Sequence, residues 1–504
     1  MRRDLEALGL DALLRRAAAR WPDRPAMLHA DGAWGWARLD AAVDAVVADW
    51  RRRGLVPGAR VGFLCEKRPE VVVGLLACAR AGTVYVPVNH KLPEEQVAAS
   101  LRSLRVDALL VAREHAAMGA RVAPSQVWDL EAWGALPAAP ATPPARDPDA
   151  PCYLNLTSGS TGRPRAVATT QRQIVANAIV TADGLGVRGD DVFLGMFSVF
   201  AHPHELFHRS LLDGSAFVLV DSLHPRVIAD AIRRWGVTWI MAVPSFYEML
   251  LDHLVATGTT LPGLRVLEAG GAWVGPEAQR RLAEGLGATF LSVWGSTETT
   301  GVALAAVPGP RGEAPPPGCT GRALEGYHAR VVREDGSPAP PGEVGELVVA
   351  GPAVGHGYVD HPDATAAQFH ADGYRTRDLV RQDEAGWFWF AGRRDDMLKI
   401  GGVRVYPLAV EQVIAAHPEV RGVMVVRDED RVRGEVARAV IETAPGAALD
   451  RRGVQAWCRA RLPPYAVPRI VEFWRALPRL PNGKPDRRAV VSRVTDPARD
   501  ERTP

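Results

Sequence analysis

Hydrophobic positions along the chain alternate between two periods. Short, nearly unbroken apolar runs at residues 60–65 (RVGFLC), 84–88 (VYVPV), 216–220 (AFVLV) and 239–243 (WIMAV) read as strands buried on both faces. Between them, residues 68–81 and 226–235 carry apolar side chains at helical spacing. This alternation predicts an α/β fold. The N-terminal segment predicts an amphipathic helix with Leu5, Leu8, Leu13 and Leu14 on its apolar face. Its charges run throughout, so it does not read as a signal peptide. Residues 136–151 and 308–318 are rich in Pro with Ala or Gly and read as surface excursions. After residue 392 the texture changes to short strands and amphipathic helices, enough for a small second domain.

Composition narrows this picture. A chain of 504 residues is too long for one compact core. Its 60 Lys and Arg against 58 Asp and Glu leave a net charge of +2, with no electrostatic footprint for nucleic acid. No run approaches the roughly 18 apolar residues of a membrane span, so the expectation is a cytoplasmic protein without a membrane partner. Cys65, Cys78, Cys152, Cys319 and Cys458 are scattered without paired spacing, which argues against a disulfide framework or a Cys-rich zinc site. Lysine occurs only at 67, 91, 399 and 484, the other basic residues being Arg. A codon bias explains most of that. It also marks the lysines as places where a rigid guanidinium fork does not replace a flexible ammonium.

The most informative segment is Thr157-Ser158-Gly159-Ser160-Thr161-Gly162, followed by Arg163-Pro164-Arg165. Hydroxyls interleaved with glycines after an apolar run (CYLNL) can wrap backbone N–H groups around phosphate oxygens. It is not a Walker A loop, which ends in Gly-Lys-Ser/Thr, and it lacks the G-x-S-x-G of a nucleophile elbow. On composition alone such a loop also reads as an ordinary turn.

Further segments, taken in order, resemble the acyl-adenylate-forming superfamily of acyl-CoA synthetases, adenylation domains and luciferases. They are residues 79–89 (ARAGTVYVPVN), Gly270-Gly271-Ala272, Trp294-Gly295-Ser296-Thr297-Glu298, Gly345-Glu346-Leu347, Gly357-Tyr358 and Tyr374-Arg375-Thr376-Arg377-Asp378. Gly392-Arg393-Arg394-Asp395-Asp396 through Arg404, residues 462–468 (LPPYAVP) and Leu480-Pro481-Asn482-Gly483-Lys484 complete the series. The resemblance implies an α/β fold. A large N-terminal domain of α/β subdomains plus a β-barrel-like subdomain would cover residues 1–393, and a small mobile α+β C-terminal domain 394–504. It implies a reaction too: a carboxylate attacks ATP to give acyl-AMP, and the acyl group then passes to the thiol of coenzyme A.

The same resemblance distributes roles. Thr157 to Gly162 would cradle the β- and γ-phosphates. Glu298 would hold Mg²⁺, a hard cation that prefers oxygen ligands, and Thr297 would bond a phosphate. Gly270, Gly271 and Ala272 would lie along the adenine. Trp294, where Tyr is usual, would stack on it from the Trp294-Gly295-Ser296 run. Asp378 would accept the ribose hydroxyls with Arg393 nearby, and Lys484 would reach the carboxylate and α-phosphate. Asp395 would be the hinge, and Lys399, Gly401 and Gly402 would line a thiol tunnel. Arg165 stands where Lys is usual, and Arg377 where Gly is usual.

The acid pocket is read from Phe200, Ala201, His202, His204, Gly271 and Trp273. Ala201, where amino-acid-activating relatives place Asp, argues against an α-amino acid. Two histidines and a tryptophan point to a small, flat or polar acid. Two alternatives stay open: a stand-alone adenylation enzyme that loads a carrier protein in trans or uses an unusual acid or acceptor, and a zinc hydrolase. The second rests on His204-Glu205-Leu206-Phe207-His208, which fits H-E-x-x-H with its two histidines on one helix face.

Overall fold

The computed structural model describes residues 3–122, 126–139, 147–157, 165–309, 312–400, 403–430, 434–444, 446–480 and 485–495. Among the candidate site residues, Ser158, Gly159, Ser160, Thr161, Gly162, Gly401, Gly402 and Lys484 lie outside them. The chain divides into two compact units. One is Met1–Ala329 with Val349–Arg375, and the other is Arg330–Val348 with Thr376–Pro504.

The first unit is the α/β body that the apolar runs predict. Its strands begin with the hairpin β1 (Pro25–His29) and β2 (Gly32–Gly35), followed by β3 (Arg60–Leu64), β4 (Val84–Pro87), β5 (Ala108–Val111) and β6 (Gln126–Asp129). Then come β7 (Pro151–Thr157), β8 (Arg165–Thr170), β9 (Val192–Gly195), β10 (Ala216–Val218), β11 (Trp239–Ala242) and β12 (Val266–Ala269). The series closes with β13 (Thr289–Ser296), β14 (Gly301–Ala305) and β15 (Arg322–Ala323). One sheet has the order β6-β5-β3-β4-β7-β8, with β3 parallel to β4 and β5, and β4 parallel to β7. The other has the order β15-β14-β13-β12-β11-β9-β10-β1-β2, parallel from β13 to β1 and edged by antiparallel strands. Each sheet buries its own apolar cluster, around Leu64, Val86 and Leu109 in the first and Leu194, Ile240 and Leu267 in the second. Each such side chain contributes roughly 1.5–3 kcal/mol.

Helix ends follow the chemistry of their termini. Pro69–Ala81 and Pro225–Trp235 both start with Pro at the first turn, where a missing N–H costs nothing, and both stop at a left-handed glycine, Gly82 or Gly236. The N-terminal helix is shorter than its apolar face suggests, running Leu10–Arg20 after a single 3₁₀ turn at Arg3–Leu5. Arg80, fully buried, binds Asp11 at 2.6 Å and Asp44 at 3.0 Å and also pairs with Asp40, pinning three helices together. All five cysteines are free and buried. Desolvation pushes the thiols of Cys65, Cys78, Cys152 and Cys458 upward.

In the second unit, Val420–Asp430 pairs antiparallel with Gly434–Thr443, which pairs parallel with Ile470–Phe473. Helices Pro407–Ala415 and Arg451–Arg459 place Val410, Ile414, Val454 and Cys458 in one cluster with Val425, Ala439 and Ile441. Leu398–Ile400 and Val403–Val405 form a separate hairpin. Among the described residues, no helix is long and apolar enough to cross a membrane.

Candidate active site

Two strand ends build the best-defined part of the site in the first unit. Thr157 closes β7 and pairs with Arg165, the first residue of β8, so the Ser/Gly-rich residues 158–164 connect these strands. β13 ends at Ser296 and runs into a 3₁₀ turn, Thr297–Thr299. The turn is locked by Thr299. Its Oγ1 accepts the Ser296 N–H at 2.9 Å, and its hydroxyl lies 2.7 Å from the Gly301 carbonyl. Gly295 is needed here because a Cβ would stand 2.3 Å from the Gly301 oxygen, where β13 and β14 shift register.

The turn delivers Glu298 into the interior. The residue is 7% exposed, and Tyr358 Oη donates a 2.8 Å hydrogen bond to its Oε1. The Glu298 carbonyl accepts the Gly355 N–H at 2.7 Å, fixing the same segment from the backbone. Arg165 lies 5.3 Å from the centre of the Tyr358 ring and donates to Gln368 Oε1 at 3.3 Å. Burial first, and then the Glu298 charge, push the Tyr358 hydroxyl above its ordinary range, so it stays a donor at neutral pH. Tyr358 belongs to the Gly357-Tyr358 motif, but its partner is 60 positions away in the chain, and nothing in the sequence assigns it that contact.

Of the other residues in this series, Thr297 is half-buried and Trp294 is buried in β13 with 8% exposure. Gly270, Gly271 and Ala272 follow the end of β12, with Gly271 in the left-handed region at φ 79°. Trp273 is half-buried, and its Nε1 donates to the Gly318 carbonyl at 3.3 Å.

The segment with Phe200, Ala201 and His202 runs into a 3₁₀ turn, Pro203–Leu206, with His202 before it at φ 56°. His202 Nδ1 faces Asn155 Nδ2 at 3.4 Å. His204 is fully buried, and its Nε2 lies 3.1 Å from the Thr300 carbonyl, which ties this segment to the Glu298 turn. Desolvation lowers His204 to about 4 and takes His208 well below its ordinary value, so both rings are neutral. Arg209 anchors the segment's far end through a fork onto Glu268 at 2.6 and 2.9 Å, with Trp239 Nε1 donating to the same carboxylate at 2.8 Å.

The zinc-hydrolase alternative fails on this geometry. H-E-x-x-H needs a regular helix, whereas these residues form one 3₁₀ turn that ends before Phe207. The ligand-capable atoms that converge are those of His202, His204 and Glu205, without His208. His204 Nε2 is already engaged by Thr300.

In the second unit, Asp378 is 4% exposed and pairs with Arg393 Nε at 2.7 Å, across the strands Gly373–Gln382 and Phe388–Arg393. Arg377 takes a left-handed φ of 63°. Its N–H donates to Glu346 Oε1 at 2.9 Å, and its guanidinium forks onto Asp395. The bulky residue in a glycine's place is thus held by an ion pair with the candidate hinge. Lys399 sits exposed on its hairpin, with its backbone N–H on Glu435 Oε2 at 2.6 Å.

Comparison with known proteins finds similar chains across both units. A family model described as AMP-binding enzyme matches residues 14–359, and one described as AMP-binding enzyme C-terminal domain matches residues 409–484. A feruloyl-CoA synthase from Amycolatopsis sp is 32% identical over 488 residues, 94% of this chain and 97% of that protein. An anthranilate CoA ligase, AuaEII, solved with anthranoyl-AMP, superposes with a TM-score of 0.89 at 22% identity, covering 96% of this chain and 97% of that one. ATP-bound MatB from Rhodopseudomonas palustris superposes at 0.87 with 28% identity, covering 97% of this chain and 99% of that one.

Proposed function

The chain belongs to the AMP-binding enzyme family, and on that footing we propose that it activates a carboxylic acid with ATP and transfers the acyl group to coenzyme A. The observation that carries this reading is the near end-to-end match to a stand-alone CoA ligase, together with a buried glutamate presented on a locked turn packed against β7. Joining two anions, a carboxylate and a triphosphate, requires positive charge where negative charge gathers in the transition state. Arg165, at the end of the β7–β8 connection, and Lys484 are assigned to supply it.

Glu298 fits a Mg²⁺ ligand, because it offers hard carboxylate oxygens and one is steadied by the Tyr358 hydroxyl. Bound there, the ion would neutralise phosphate charge. Thr157 to Gly162 would hold the phosphates, with Thr297 as a hydroxyl donor. Trp294 and the Gly270–Ala272 segment would receive the adenine, and Asp378 with Arg393 the ribose. Phe200, Ala201, His202, His204 and Trp273 would form the acid pocket. A neutral His204 there suits an uncharged, flat acyl group better than an α-ammonium. Asp395 would serve as the hinge, with Lys399, Gly401 and Gly402 admitting the thiol, and the chain would act in the cytoplasm.

A panel of aryl, hydroxy and short-chain acids, assayed for pyrophosphate release with and without coenzyme A, tests this. Acid-dependent release with formation of an acyl-CoA is the expected result. Release without a thioester, but with loading of an added phosphopantetheinyl carrier, would reassign the acceptor. No acid-dependent release at all would overturn the proposal.

A further inference from the structure

The first sheet carries a second cluster of chemistry outside that site. β5, β3 and β4 are adjacent and parallel, so their carboxyl ends lie side by side along one edge. In open α/β sheets that edge is where ligands bind. Each of these three strands is followed by a metal-ligating residue: Glu66 after β3, His90 after β4, and His115 in the 3₁₀ turn Arg113–His115 after β5. Their ligand atoms all fall within 4.8 Å of one another. His115 Nε2 is 2.6 Å from Glu66 Oε1, and the two imidazoles stack with centroids 5.0 Å apart.

Two buried atoms there lack a partner among the described residues. His90 Nδ1 has none, and no N–H or O–H donor reaches Glu66 Oε2. A buried polar atom left unmatched costs free energy that a bound cation would recover. Glu114 lines the same cleft as Glu66 and adds a second carboxyl there. The nearby guanidinium does not neutralise Glu66, because Arg68 is committed to Glu70 and Glu131 at 2.8 Å each. Of the three residues, Glu66 lines this cleft of about 400 Å³, together with Arg68, Glu70 and Glu114.

We propose that Glu66, His90 and His115 form a binding site for a divalent cation of the zinc class, independent of the ATP-associated Mg²⁺. Two imidazoles and one carboxylate suit zinc, which accepts nitrogen ligands at about 2.0–2.1 Å, better than they suit magnesium. Three protein ligands would leave a further coordination position for water. His90 also meets Phe200 edge-on at 5.8 Å. The cation would therefore brace three strand ends against the wall segment assigned to the acid pocket.

The test uses the full-length protein, stripped with chelator and dialysed against Zn²⁺ or Mg²⁺ alone, with bound metal measured directly and melting followed in parallel. One tightly held zinc per chain, no magnesium at this site, and a zinc-dependent rise in melting temperature are expected. The near-isosteric Glu66→Gln, and separately His115→Ala, should weaken zinc binding by more than about tenfold and abolish the thermal shift. His202→Ala should leave both intact, which separates this cluster from the one at His202, His204 and Glu205. Failure of the wild type to retain zinc, retention undiminished in Glu66→Gln and His115→Ala, or loss of zinc in His202→Ala would each overturn the site.

Discussion

Removing one hydroxyl, in Tyr358→Phe, tests the site most directly. The bond from Tyr358 to Glu298 is 2.8 Å long and ends on a carboxylate that is 7% exposed, so water does not readily replace the lost donor. Hydrogen bonds to charged groups contribute about 1.5–3 kcal/mol. If that energy holds the Glu298 side chain aimed during adenylate formation, its loss lowers acid-dependent pyrophosphate exchange by about 10- to 100-fold. The apparent requirement for Mg²⁺ should rise alongside, because the carboxylate is then less firmly set. Glu298→Gln should cost more, and the double variant should cost little beyond Glu298→Gln alone. The interaction term of that cycle is expected near 1.5–3 kcal/mol. Exchange within twofold of wild type in a folded Tyr358→Phe, or additive losses in the cycle, would refute the coupling.

Other outcomes follow from particular contacts. Arg209→Met leaves Glu268 buried beneath Trp239 without its counter-ion and should destabilise the protein by about 3–5 kcal/mol, read as a lower urea midpoint. Pairing it with Glu268→Leu should recover much of that loss. Gly295→Ala should fail to fold stably, because its Cβ meets backbone at 2.3 Å, and normal melting would contradict the register described. His204 moves from an ordinary 6.5 to about 4 on burial, so the unfolded chain binds the extra proton. Its stabilisation is complete above pH 6.5 and lost as pH falls toward 4, about 2 kcal/mol by pH 5, and His204→Gln should flatten that slope. Lys484→Ala should abolish acid-dependent exchange while ATP binding stays within a few-fold. Gly402→Leu should spare exchange and block thioester formation, and equal loss of both steps would dismiss the thiol tunnel.

The strands of the α/β body were legible because burial on both faces leaves an unbroken apolar run. Observed ends fall one or two residues short, as at Ala216–Val218 within 216–220, because apolar side chains continue past the last ladder bond into the turn. The helix over 68–81 begins one residue later, where Pro69 supplies the first turn. The N-terminal helix lost its first apolar positions because Gly9 interrupts the run and becomes its cap. Long-range polar contacts were not legible. Tyr358 on Glu298, Arg209 on Glu268 and Arg377 on Asp395 join residues far apart in the chain, and no periodicity encodes such a pairing. H-E-x-x-H misled for a related reason. A spacing has meaning only on a regular helix, and Pro203 opens a tight turn instead.

The sealed cysteines acquire a chemical meaning once the proposed reaction is considered. An acyl phosphate is a strong electrophile, and a thiolate is the side chain most apt to intercept it. With all five cysteines buried, and the thiols of Cys65, Cys78, Cys152 and Cys458 held in the neutral form, the protein presents no competing thiolate to its own product. The incoming substrate is then the only reactive sulfur the activated acyl group meets. A single cysteine introduced on the surface would, for the same reason, be alkylated against a silent background.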